Sequence, residues 1–93
     1  MSLPVRWSPY AKDDLADTLG YLEQSFGIDA ALKLIEAIDK TINLIAEFPQ
    51  MYPRSNNSPA IRKAVITKQT SLIYRVKRSE IQILHVWDNR RSN

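Results

Sequence analysis

Apolar residues Ala11, Leu15, Leu19, Leu22 and Phe26 recur every three or four positions, which puts them on one face of a helix. The helix starts at Ser8-Pro9, where serine serves as N-cap and proline fits the first turn. Asp13 and Asp14 follow near its positive end, and Gly27 stands where a left-handed residue would stop it. Beyond it, Ala31, Leu34, Ile35, Ile38, Ile42 and Ile45 form a second stripe, with Asp29 as its cap and Phe48-Pro49 as its close. Almost nothing separates the two, so they form an antiparallel hairpin whose large aliphatics are core scaffold.

The pattern on either side has period two. Leu3 to Trp7 reads as a short strand, with Val5 and Trp7 alternating against Pro4 and Arg6. Residues 49–59, PQMYPRSNNSP, carry three prolines around a polar centre and form a loop, either functional or merely mobile. Ile61–Thr67, Ser71–Val76 and Glu80–Trp87 are then rich in β-branched and aromatic residues and read as strands. The turns between them are Lys68-Gln69-Thr70 and Lys77-Arg78-Ser79. Strict alternation in the last strand puts Ile81, Ile83, His85 and Trp87 on one face and Leu84 and Val86 on the other. Apolar residues on both faces mark it as a central strand. The order is β-α-α-β-β-β, an α+β fold in a single domain spanning residues 1–93.

Composition narrows the class. With 44% hydrophobic residues the chain can fill a core, which excludes disorder and fibrous architectures. The N-terminus lacks the apolar segment of a secretory signal, and no run approaches the roughly 18–20 residues of a membrane span. A cytoplasmic protein without a membrane role is therefore expected. The absence of cysteine removes disulfides, thiol catalysis and thiolate metal sites together. A domain this small has little apolar material for a deep pocket, so a groove or an interaction face is the expected form of its site.

The net charge of +3 hides a division. Residues 1–58 hold five cations against eight acids, net −3, and residues 59–93 hold eight against two, net +6. A basic C-terminal third attracts phosphate backbones or an acidic protein partner, although a merely solvated strand surface has the same composition.

Several chemistries are excluded or weak. The only glycines, Gly20 and Gly27, make no phosphate loop, and the single histidine, His85, has no companion ligands for a metal. No cofactor or metal is expected. A serine triad would need the same His85, and no nucleophile elbow is present. What remains is a basic and aromatic set on the C-terminal strands: Arg62, Lys63, Lys68, Tyr74, Arg75, His85, Trp87, Arg90 and Arg91. Arginine forks suit phosphate, and aromatic rings stack unpaired bases. A metal-independent ribonuclease can be built from such parts, with cations on the phosphorane and tyrosine or histidine moving protons. Each also has a structural role open to it: His85, Tyr74 and Trp87 as core residues, Arg90-Arg91 as solvated charge.

The opening VRWSPYAKDDLADTLGYLEQSFG, the segment INLIAEFPQMYP, IRK at 61–63, SLIYRV at 71–76 and IQILHVWDNRR at 81–91 together resemble type II toxins of the RelE/ParE superfamily, over roughly Val5 to Arg91. Each piece is a loose pattern, and it is their order and spacing that carry the resemblance. It implies a helical hairpin on a small, mainly antiparallel sheet. It also implies a cognate antitoxin as partner in a toxin–antitoxin hetero-oligomer, a disordered and often acidic segment of which covers the basic face.

Two activities divide the superfamily. RelE-like members cut mRNA on the ribosome; ParE-like members inhibit DNA gyrase. No tyrosine or helix follows the last strand here, and His85 lies inside that strand, which favours the ParE-like activity in plasmid stabilisation. On that branch Arg62, Arg75, Trp87, Arg90 and Arg91 bind target or antitoxin. On the RelE-like branch Arg62, Lys68 and Arg90 hold the scissile phosphate while Tyr74 or His85 shuttles protons.

Overall fold

The computed structural model describes residues 2–56 and 58–90. Six elements follow the expected order: β1 (Val5–Trp7), α1 (Pro9–Phe26), α2 (Ile28–Glu47), β2 (Ile61–Val65), β3 (Thr70–Val76) and β4 (Ile81–Asp88). The strands form one sheet in the order β1-β4-β3-β2. β1 runs parallel to β4, and the other pairs are antiparallel. β4 is thus a central strand, as its two apolar faces imply.

Local chemistry explains the helix ends. Ser8 Oγ accepts from the Ala11 N–H at 3.0 Å, with Pro9 opening α1. Gly27, at φ 96°, ends α1 by donating its N–H to the Glu23 carbonyl and itself caps α2. The expected cap, Asp29, instead lies in the first turn of α2 and makes no capping bond there. Gly27 itself takes the N-cap position and has no side chain to cap with, so Asp29 falls one residue inside the helix.

The hairpin packs on one face of the sheet. Ala31, Leu34, Ile38, Thr41 and Ile45 are the buried line of α2. Of these, Leu34, Ile38 and Ile45 share one core with Leu72, Tyr74, Ile81 and Ile83, all fully buried, and with Val86. Two expected core residues stay outside. Phe26 is 68% exposed in the last turn of α1, and Ile35 is 37% exposed, a helical step of about 100° from buried Leu34.

An extra residue redirects β4. In the register Tyr74 pairs with Ile83 and Ile73 with His85, so Leu84 is left between them as a bulge. The alternation reverses there: Val86 joins Ile81 and Ile83 in the core, and His85 and Trp87 turn to the opposite face. This corrects the reading of strict alternation, which put His85 and Trp87 beside Ile81 and Ile83. Past Ile83, among the described residues, no strand flanks β4 on the β1 side, and α1 satisfies that edge. Ser8 Oγ donates to the Leu84 carbonyl at 2.8 Å, and the Val86 N–H donates to Asp14 Oδ2 at 3.1 Å.

The proline-rich loop is tied to the sheet between residues 49 and 55. Tyr74 donates its hydroxyl to the Pro49 carbonyl at 2.8 Å, and Arg62 Nη1 donates to the Tyr52 carbonyl at 2.7 Å and the Gln50 carbonyl at 3.3 Å. The Ser55 N–H to the Ile61 carbonyl and the Lys63 N–H to the Pro53 carbonyl then zip the loop along the outer edge of β2.

Candidate functional site

The hairpin covers one face of the sheet; the opposite face exposes Arg6, Arg75, His85 and Val65 and half-buries the rest except Ser71, which is enclosed, and the register says what it carries. Arg6, Gln82, Arg75 and Ile61 lie side by side across all four strands. The next row is His85, Ile73 and Lys63, and the third is Trp87, Ser71 and Val65. Three permanent cations and a histidine thus ring Ile73 and Gln82 on a surface about three residues deep. Arg6 is held by Glu80 through two contacts of 2.7 and 2.8 Å. Lys63 and Arg75 form no ion pair among the described residues, so their charge is available to an anionic partner.

His85 sits where this face meets α1. Its Nδ1 is 3.0 Å from Asp14 Oδ2, and the Tyr10 ring lies 5.9 Å away. Asp14 accepts at the same oxygen from the Val86 N–H, so it orients the imidazole and seals the strand edge together. With Nδ1–H donated to the carboxylate, Nε2 is the nitrogen left for a ligand.

The candidate residues do not converge. Arg75 and Trp87 share the open face with His85. Arg62 lies on the other side of β2, opposite Tyr74, and its guanidinium is spent on the loop carbonyls. Tyr74 is fully buried; burial pushes its phenol above the ordinary value, and the nearby positive charge of Arg62 works against that. Enclosed on the core side, it stands across the sheet from His85 and offers no proton to a phosphate outside. Lys68 is exposed in the β2–β3 turn. Arg90 grips Asp88 through Nε at 3.0 Å and Nη2 at 2.9 Å, which holds its guanidinium pKa still further above the usual range. Arg91 lies outside the described residues. No group of three potential metal ligands exists among the described residues.

A groove of about 270 Å³ runs between α1 and the ends of β3 and β4, walled by Asp17, Tyr21, Phe26, Trp87, Asp88 and Arg90 among others. Sequence reading missed it because its walls are far apart in the chain. It also missed Arg6, although alternation with Val5 and Trp7 already turned that side chain outward. The role of Asp14 left no sequence signal, since it depends on where α1 crosses β4.

Comparison with known proteins bears on what such a face serves. The profile of the ParE toxin of the type II toxin–antitoxin system, parDE, matches residues 5–93. Toxin ParE1 of Caulobacter vibrioides is 33% identical over 92 residues, covering 97% of this chain and 96% of that protein. Among solved structures, the chromosomal ParDE toxin–antitoxin system of P. aeruginosa aligns with a TM-score of 0.79 and 25% identity, over 94% of this chain and 96% of that one. A YoeB/ParE toxin of Agrobacterium tumefaciens shares the fold, with a TM-score of 0.70 at 15% identity over 94% and 99% of the two chains. The two helices on a four-stranded mixed sheet are the architecture of these toxins, and with its profile matched along nearly its whole length, the chain belongs to the ParE toxin family of type II toxin–antitoxin systems.

Proposed function

We propose that this toxin arrests growth by binding DNA gyrase through the open face of its sheet, and that a cognate antitoxin neutralises it by covering that face. The supporting observation is the register that gathers Arg6, Lys63, Arg75, His85 and Trp87 on the sheet face opposite the core. A face of cations around apolar groups is a protein-docking surface, in which charge steers the approach and the central apolar groups are desolvated. Action on gyrase is what the ParE-like resemblance implies, and the P. aeruginosa relative belongs to a toxin–antitoxin system. Among the described residues no helix is long and apolar enough to cross a membrane.

The test is direct binding of immobilised gyrase subunits by the purified chain and by an Arg75→Glu, Lys63→Glu variant. The native chain binds, and the variant loses at least about tenfold in affinity without losing stability. Equal binding by the variant removes the sheet face from the interaction.

Ribosome-dependent mRNA cleavage is the second reading, favoured by one observation: Asp14 orients His85 as a carboxylate orients a general base. Primer extension on mRNA from cells expressing the chain tests it. Discrete cuts abolished by His85→Ala establish cleavage.

A further inference from the structure

The groove beside α1 is acidic on a basic protein. Asp17, on α1, and Asp88, on β4, both line it, together with Tyr21 and Phe26 of α1 and Trp87 of β4. The chain's own Arg90 already lies in it, with its fork on Asp88 and its guanidinium carbon 5.9 Å from the centre of the Tyr21 ring. Carboxylate at the edge and aromatic ring beneath is the arrangement that holds a guanidinium. Asp17 forms no ion pair among the described residues, so its carboxylate is uncommitted. Tyr21 is 49% exposed and Phe26 68% exposed, packed edge to face at 6.2 Å. Aromatic surface beside an open carboxylate offers a partner both a cation site and an apolar shelf.

We propose that this groove is an arginine-anchoring site for the antitoxin, and that Arg90 is an internal occupant which the antitoxin's own arginine displaces. The inference rests on the antitoxin pairing proposed above and adds which chemistry the partner brings to this side of the toxin. Charge complementarity selects that occupant: an acidic segment suits the open sheet face but is repelled here, whereas an arginine with apolar neighbours satisfies Asp17 and covers Tyr21 and Phe26. The antitoxin segment is therefore bipolar, acidic where it crosses the sheet and basic where it meets α1. Displacement also makes Arg90 a competitor rather than a contact, since a site occupied by its own side chain binds more weakly in proportion to its free fraction.

The test titrates the full-length toxin with the peptide acetyl-Leu-Arg-Leu-amide and with its citrulline counterpart, which keeps the shape and loses the charge. Binding is read from the NMR shifts of Tyr21, the Trp87 indole and the Arg90 Nε–H. The arginine peptide shifts all three, the citrulline peptide binds at least about tenfold more weakly, and Asp17→Asn has a similar cost. Arg90→Ala tightens binding several-fold. In the complex with the antitoxin encoded beside the toxin, Asp17→Lys weakens association by about tenfold or more. No shifts, equal binding of the citrulline peptide, weaker binding by Arg90→Ala, or an antitoxin affinity indifferent to Asp17→Lys each overturns the proposal. None of these measurements uses gyrase. Peptide shifts without gyrase binding keep the groove and reject the target, and the converse result does the reverse. Antitoxin that binds strongly whatever stands at position 17 keeps the pairing and rejects the anchor.

Discussion

Replacing Arg62 with alanine decides whether this residue is a functional cation or a structural clamp. Its Nη1 donates to the partly buried Tyr52 carbonyl at 2.7 Å and, at the surface, to the Gln50 carbonyl at 3.3 Å. A charged donor at the shorter distance is worth about 1.5 kcal/mol, and the longer, solvated bond adds about 0.5. The loss is then about 2 kcal/mol. In a domain of this size each kcal/mol moves the melting temperature by about 4–8 °C, so Arg62→Ala melts about 8–16 °C lower. Circular dichroism melts read this directly. Arg62→Lys, which keeps the charge without the fork, falls between the two. Because the Tyr74 hydroxyl fastens the same loop at Pro49, the double variant with Tyr74→Phe departs from additivity by about 0.5 kcal/mol or more. An Arg62→Ala protein that melts within about 2 °C of the native chain but fails to inhibit growth refutes the clamp and returns Arg62 to the functional surface.

Other positions give independent tests. Ser8→Ala removes the cap of α1 and orphans the Leu84 carbonyl on the bulge, which costs about 2 kcal/mol in denaturant unfolding. Gly27→Ala costs about 1–2 kcal/mol by backbone strain alone, because φ is 96° while a methyl group there meets nothing within 4 Å. The Tyr74 phenol, raised above its ordinary 10.0 by burial, contributes stability that is complete below about pH 10 and lost as pH climbs through the folded value. Urea unfolding at rising alkaline pH therefore weakens the native chain more than Tyr74→Phe, and parallel curves contradict the assignment.

Periodicity made most of the fold legible. The stripe from Ala11 to Leu22 and the line Ala31, Leu34, Ile38 and Ile45 identify both helices and their inner faces, and Gly27 marks the turn between them. The Leu84 bulge was not legible, because an inserted residue shows only when the partner strand's register is known. That one residue decides which face His85 and Trp87 serve. The parallel pairing of β1 with β4 joins the two ends of the chain and has no local signal either. At the site, Arg75 and Trp87 were recognisable as strand residues of the basic third, but charge patterning cannot separate a cation facing solvent, such as Arg75, from one spent on carbonyls, such as Arg62. Only the contacts of each side chain make that distinction.

The most direct test of the proposed action incubates the purified toxin with gyrase, ATP and plasmid and follows supercoiling and linear DNA on a gel. Dose-dependent loss of supercoiling or trapped linear plasmid, relieved by antitoxin and diminished by Arg75→Glu with Lys63→Glu, is the predicted result. Full gyrase activity in the presence of toxin that still binds antitoxin contradicts it.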